Sequence, residues 1–361
     1  MFHHQYSMKL LLVFLALFID YAQMRNLATV RKVLNVRPIP SAEAIECVVI
    51  GGWNVVTKKD EYKVGDLAIY CEIDSWIPHH LAPFLTKDRE PKEYMSIKGE
   101  RLRTVKLRGQ LSQGLLLPVD LVSPCKEGDD VSDQLGIVKY EPPVSDILIG
   151  ECLGVEFPSF IPKTDQERIQ NLNEELLQWQ NDNVEWEVTE KLDGSSMTVY
   201  VNGDDFGVCS RNLKLFETEK SMYWNLANQE KIIASIKDSK RNLALQGELI
   251  GESVQGNSYN IKCRQFVVFD IYDIDSQQYL SPLERQKFCE LYKISHVPII
   301  SNSIQLNEAN GMNSIEEILK SAEGKSVLNA KTEREGLVFK SLIPNYSFKA
   351  ISNKFLLKTK G

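Results

Sequence analysis

The 361-residue chain has no CxxC pair, no internal repeat, no low-complexity segment and no apolar run long enough to cross a bilayer as a helix. Its seven cysteines (Cys47, Cys71, Cys125, Cys152, Cys209, Cys263 and Cys289) are scattered, which excludes a zinc site of the common spacing. Their odd number predicts reduced thiols packed as small hydrophobes, and so a reducing compartment, cytoplasmic or nuclear. An excess of positive charge is also missing. The formal charge of −7 excludes a uniformly basic nucleic-acid coat, although local basic patches remain open. What is present is ordinary for a globular protein: 43% hydrophobic and 25% charged residues. The length predicts two domains.

Met8-Lys9 followed by Leu10 to Ile19 (LLLVFLALFI) has the charge and apolar run of a secretory signal. Asp20, Tyr21 and Gln23 make a poor cleavage site, so a targeting segment and an upstream extension both stay open. In either case residues 1–24 are expected to lie outside the fold.

From Arg25 to Pro143, β-branched and aromatic runs alternate with turn residues. Leu27 to Leu34, Cys47 to Val56, Asp66 to Ile73 and Gly114 to Leu117 read as strands of a small barrel or sandwich, so this part is all-β. Pro142-Pro143 opens a connector that runs to Pro162. Thr164 or Asp165 is expected to cap a helix carrying Ile169, Leu172, Leu176 and Leu177. Beyond it, Trp186 and Val188 mark a half-buried strand and Phe266 to Tyr272 a buried one. Pro282 to Tyr292 and Ser314 to Ala322 read as helices, the second opened by a capping-box pattern, Ser314 with Glu317. The fold class is therefore α+β, with boundaries expected at 1–24, 25–143 and 144–361.

The string Glu190-Lys191-Leu192-Asp193-Gly194-Ser195-Ser196-Met197 sits in a tight turn between two strands. The plain reading is a hairpin with Asp-Gly at its tip and a lysine of no consequence beside it. Its company argues otherwise. In order follow Ser210-Arg211-Asn212, Gln246-Gly247-Glu248-Leu249, Phe266 to Asp270 (FVVFD), Glu335 to Lys340 (EGLVFK) and Ser347 to Ala350 leading into Asn353-Lys354-Phe355. These six strings resemble the ordered motifs of the covalent nucleotidyltransferases, the superfamily of DNA ligases, RNA ligases and capping enzymes. The pattern is most similar to ATP-dependent RNA ligases of the Deinococcus type. Lys63 to Tyr70 with Asp74 to Pro78 looks like part of the OB module that precedes the catalytic domain there. The resemblance implies an N-terminal OB-like barrel followed by an α+β nucleotidyltransferase domain, ATP-grasp-like in kind. It covers the chain from about Arg25 onward.

The resemblance also implies roles. Lys191 is the nucleophile that takes AMP. Its amine must be neutral to attack phosphorus, and lowering a pKa of about 10.4 by three units costs about 4 kcal/mol. A divalent metal or neighbouring positive charge supplies such a shift. Asp193, Glu248 and Glu335 would hold Mg²⁺ or Mn²⁺, partly through water. Lys349 would meet charge on the α-phosphate, Arg211 the ribose, Phe269 the adenine face and Glu190 the base edge; Glu248 belongs to the nucleotide site too. Lys163 and Arg168, expected near a helix N-terminus, would meet the β- and γ-phosphates. The pattern departs at Ile351, where some RNA ligases carry a second lysine; Lys349 would do the phosphate work alone or share it with Lys354 or Lys358.

Arg101, Arg103, Lys106 and Arg108 lie in one strand-like stretch (RLRTVKLRG), read as a phosphate-tracking surface, with a solvated edge strand as the alternative. Trp53 and Trp76 read as core. The implied partner is nicked duplex nucleic acid with RNA at the 3′-OH side, bound by a monomer without membrane partners. A DNA ligase, a capping-type enzyme and an inactive nucleic-acid-binding protein are the competing readings. The intact Lys191, Asp193, Glu248, Glu335 and Lys349 set argues against the last.

Overall fold

The computed structural model describes residues 26–40, 42–141, 154–343 and 346–358. The apolar leader, most of the connector and Cys152 fall outside these residues. The chain divides into two compact units, Met1–Glu141 and Pro142–Gly361.

The described part of the first unit contains short antiparallel strands and 3₁₀ turns only. Ala28–Lys32 and Leu115–Leu117 flank Leu67–Cys71, while Ser75–Pro78 pairs with Ile97–Arg101. Leu27, Val30, Ile69, Ile77, Leu117 and Ile137 fill the interior. The stretch expected as one strand from Cys47 to Val56 is two, Ile45–Ile50 and Trp53–Lys58. Gly51 and Gly52 turn the chain between the paired Ile50 and Trp53. Gly51 has φ +54°, which glycine adopts without a Cβ penalty. Trp53 and Trp76 are buried, as expected.

The arginine-rich stretch is not one strand either. Arg101 ends the strand Ile97–Arg101, and Val105–Leu107 forms a hairpin with Gln110–Ser112 around Arg108 and Gly109, both at positive φ. Arg101 is engaged: it donates to Asp74 at 2.7 Å and lies over the Tyr140 ring. Lys106 and Arg108 are exposed on the hairpin. A guanidinium held by a partly buried carboxylate and a ring is structural, which separates Arg101 from the other three.

The second unit is built on two sheets. The larger has seven antiparallel strands in the order Gly154–Glu156, Leu213–Leu215, Asp205–Cys209, Ser195–Asn202, Leu243–Ile250, Gln265–Asp273 and Gln278–Tyr279. The smaller runs Glu167–Arg168, Ser347–Ile351, Gly336–Ser341, Glu185–Lys191 and Ile299–Gln305. Met222–Gln229 and Ile232–Asp238 bury Met222, Trp224, Ile232 and Ile236 with the larger sheet's apolar residues. Asn173–Asn181 and Ile315–Ser321 bury Leu176, Trp179 and Ile318 with those of the smaller.

Helix Pro282–Tyr292 starts with a full capping box between Ser281 and Glu284. At Ser314 only half of that motif forms. Its hydroxyl accepts the Glu317 N–H, but the Glu317 carboxylate accepts from Asn313 instead. The helix expected from Thr164 or Asp165 begins later, at Asn173, and Leu177 on it is exposed. Glu167 and Arg168 instead pair in parallel with Phe348 and Lys349. Ladder bonds to a central strand outcompete a local helical turn there. Arg168 therefore stands ahead of a three-residue 3₁₀ turn, Ile169–Asn171, and not at the N-terminus of an α-helix whose dipole could serve it or the exposed Lys163.

Candidate active site

Lys191 is the last residue of Glu185–Lys191 in the smaller sheet, where it stands opposite Gly336. Ser195 begins its strand in the larger sheet, opposite Leu249. The two strands do not pair, so Lys191 to Gly194 form a bridge between sheets and not the tip of a hairpin. Gly194 is there for closeness. A Cβ on it would lie 2.4 Å from the Leu249 carbonyl oxygen and 2.8 Å from the Glu248 Cγ. Gly336 meets the same constraint from the Ala350 oxygen at 2.3 Å. Both glycines let a carboxylate-bearing segment lie flat against its neighbour.

The lysine meets Asp193 of its own bridge and acids from two distant segments, Glu248 and Glu335. Lys191 Nζ lies 2.8 Å from Glu335 Oε2. Burial alone would lower its pKa, but Glu335, Glu248 and Asp193 outweigh that and hold the amine above its ordinary value. The acids strain against one another in turn. Burial first and then Glu335 push Asp193 up to about 6, and burial with the neighbouring carboxylates pushes Glu248 up to about 8. Such crowding favours a cation. No three Asp, Glu, His or Cys among the described residues converge as direct metal ligands. The donor set thus fits a hydrated divalent ion held through its waters, as Mg²⁺ prefers.

Lys349, 8% exposed, lies 2.8 Å from Asp165, whose other oxygen is 3.7 Å from Arg211. Asp165 thus gathers two residues expected at the phosphate and the ribose. Arg168 stands beside Lys349 in register. Lys354 pairs with Glu323. Glu190 is 1% exposed; its Oε2 accepts the Val327 N–H at 2.7 Å, Oε1 makes no hydrogen bond among the described residues, and burial raises its pKa against the opposing pull of Ser326 and Val327.

Phe269 is the extra residue of a β-bulge, since Gln246 pairs with Asp270 and Gly247 with Val268. Its ring, partly exposed, lies against Leu192, Ile250, Tyr259, Val267 and Val297. The Lys340 ammonium donates to the bulge carbonyl at 2.7 Å and pairs with Asp270. Arg285, fully buried, pairs with Glu187 and donates to His296 Nε2. Tyr259 lies outside every motif read from the sequence; Asp165 is expected there only as a helix cap, and Lys340 only as the last residue of the string EGLVFK. A lysine directly after the apolar run Leu337 to Phe339, within a strand that is buried throughout, is its local signal.

Two sheets joined by a lysine-bearing bridge, with three carboxylates around the amine, define a nucleotidyltransferase-type site. The comparisons give the family. The RNA ligase family profile matches residues 184–358, and an OB-fold domain profile matches residues 27–119. An RNA ligase mutant of Naegleria gruberi solved with AMP and Mn is 49% identical, with TM-score 0.85, over 92% of this chain and 98% of that one. A second mutant with ATP and Mn is 48% identical, TM-score 0.86, over 93% and 100%. The same organism's enzyme with pyrophosphate is 49% identical, TM-score 0.85, over 93% and 99%. No curated protein matches the chain. The chain belongs to the RNA ligase family.

Proposed function

We propose that this RNA ligase seals 3′-OH/5′-phosphate nicks in duplex nucleic acid, with RNA on the 3′-OH side, through a lysyl-AMP intermediate on Lys191. ATP is the nucleotide and Mg²⁺ or Mn²⁺ the metal; the Naegleria enzyme's complexes with ATP, AMP and Mn support both. The observation that carries the reading is the Lys191 amine 2.8 Å from Glu335 and within the field of Asp193 and Glu248.

Lys191 Nζ, once deprotonated, forms an N–P bond to the α-phosphorus while the bond to the pyrophosphate oxygen breaks. Asp193, Glu248 and Glu335 would hold a divalent cation, whose charge would offset the carboxylates that keep the amine protonated and so lower its pKa. Lys349 opposes the charge that grows on the α-phosphate oxygens. Glu190 directs its unpartnered oxygen to the adenine edge, Phe269 stacks on the ring, and Arg211 holds the ribose. Arg168, beside Lys349, and Lys163 serve the β- and γ-phosphates. AMP then passes to the 5′-phosphate, and the 3′-OH attacks and expels it. Lys106 and Arg108, exposed on their hairpin, supply phosphate contacts.

Purified protein with labelled ATP and Mg²⁺ should give an adenylated band that Lys191→Ala abolishes. A panel of nicks differing only in the terminal sugars should show sealing that requires a 3′ ribose. An unlabelled wild type would refute the intermediate, and equal sealing of an all-DNA nick would refute the RNA requirement.

A further inference from the structure

We infer that Tyr259 is a positioning residue for nucleotidyl transfer, its hydroxyl accepting the Asp193 N–H and setting the course of the bridge that carries Lys191. The inference rests on the reading of Lys191 as the nucleophile. The Asp193 N–H donates to the Tyr259 hydroxyl at 2.6 Å. Asp193 is two residues from Lys191 and one from Gly194, which has no spare room against Leu249. A bridge squeezed on one side and tethered on the other has one conformation.

Tyr259 lies in the excursion between the strands Leu243–Ile250 and Gln265–Asp273, outside all six motifs. It is 4% exposed, its ring among Leu192, Ile250, Val267 and Val297. The excursion is braced to hold that ring. The Asn257 side chain bonds Ile261 in both directions, at 2.9 and 3.0 Å. The preceding carbonyl, that of Ser258, accepts from Thr332 Oγ1 at 2.7 Å and from Asn329 Nδ2 at 3.1 Å. Thr332 and Asn329 belong to the loop before Glu335, and Val327 of the same loop caps Glu190. One clasp therefore ties together the partner of the nucleophile, the base-edge carboxylate and the bridge.

The chemistry of the tether favours a role in orientation over one in binding. Its hydroxyl bonds a main-chain N–H on the bridge, and none of its bonds reaches Glu190, Arg211 or Phe269. A phenylalanine keeps the ring's packing and strands the N–H. Tyr259→Phe should therefore slow Lys191 adenylation at saturating ATP by about tenfold, the cost of one buried unsatisfied donor. The KM for ATP should stay within about twofold, because the ground-state contacts of the nucleotide are untouched.

The test is single-turnover adenylation of the full chain with labelled ATP and Mg²⁺, run beside a thermal melt. A slowed rate with KM held supports the inference. A wild-type rate overturns it, as does a loss confined to KM and melting temperature. If Tyr259→Phe fails to fold, Thr332→Val decides in its place: a rate about threefold lower supports, and an unchanged rate overturns. Failure of the wild type itself to take label would instead overturn the assignment of Lys191, so the two failures are told apart.

Discussion

The Lys340 ammonium donates to the carbonyl oxygen of Phe269 at 2.7 Å. Phe269 is the residue the bulge leaves without a partner across the strand, and the lysine fills the gap from the other sheet. Burial pulls the Lys340 amine down to about 8, with Asp270 opposing that fall. The aromatic side chain read as the adenine platform thus owes its pose to a buried charge.

Lys340→Met should leave the bulge carbonyl without its donor and Asp270 with only the more distant Arg285, 3.9 Å away. The expected loss is about 3 kcal/mol of stability, with weaker ATP binding. Urea denaturation and nucleotide titration measure the two effects, and a variant as stable as the parent would contradict the anchor.

Gly194→Ala places a methyl group 2.4 Å from the Leu249 oxygen, so the bridge must move. Adenylation should fall on the order of 100-fold, since small misplacements of reacting groups carry such costs. Labelling at saturating ATP is the measurement. If the bridge were a free hairpin tip, the change would be silent.

Glu248, lifted from 4.5 to about 8, keeps its proton longer in the folded chain than in the unfolded one. Its contribution to stability is therefore fullest below the unfolded value and is lost as pH rises toward 8. Without metal, Glu248→Gln should melt higher than the parent at pH 8 and at a more similar temperature near pH 5. It should also be inactive. Added Mg²⁺ should stabilise the parent more than the variant.

His296 accepts from Arg285 through Nε2 and bonds the Val297 oxygen through Nδ1, so the ring is neutral with its proton on Nδ1. Burial and Arg285 pull its pKa down to about 4. The unfolded chain then takes up a proton first as pH falls from about 6.5, and stability drains away down to about pH 4. Melting curves between pH 7 and 4 should show this slope, and His296→Gln should flatten it.

Residue order alone determined the six motifs, their sequence and the chemistry each could supply, because a nucleophile and its acids are identities before they are positions. It also determined the bounds of the helix Pro282–Tyr292, whose cap and proline are local. Only the tertiary structure decided which acid meets the lysine, since Lys191 and Glu335 are 144 positions apart and join through the pairing of their strands. The pairing of Lys349 with Asp165, across 184 positions, has the same origin. Where local and distant forces competed, the distant won. Arg168 left its expected helix for a parallel ladder, and Arg101 left the expected phosphate surface for Asp74 and Tyr140. Local patterns report what a segment prefers in isolation, whereas a hydrogen bond or ion pair to a remote strand is absent from that pattern and strong enough to override it.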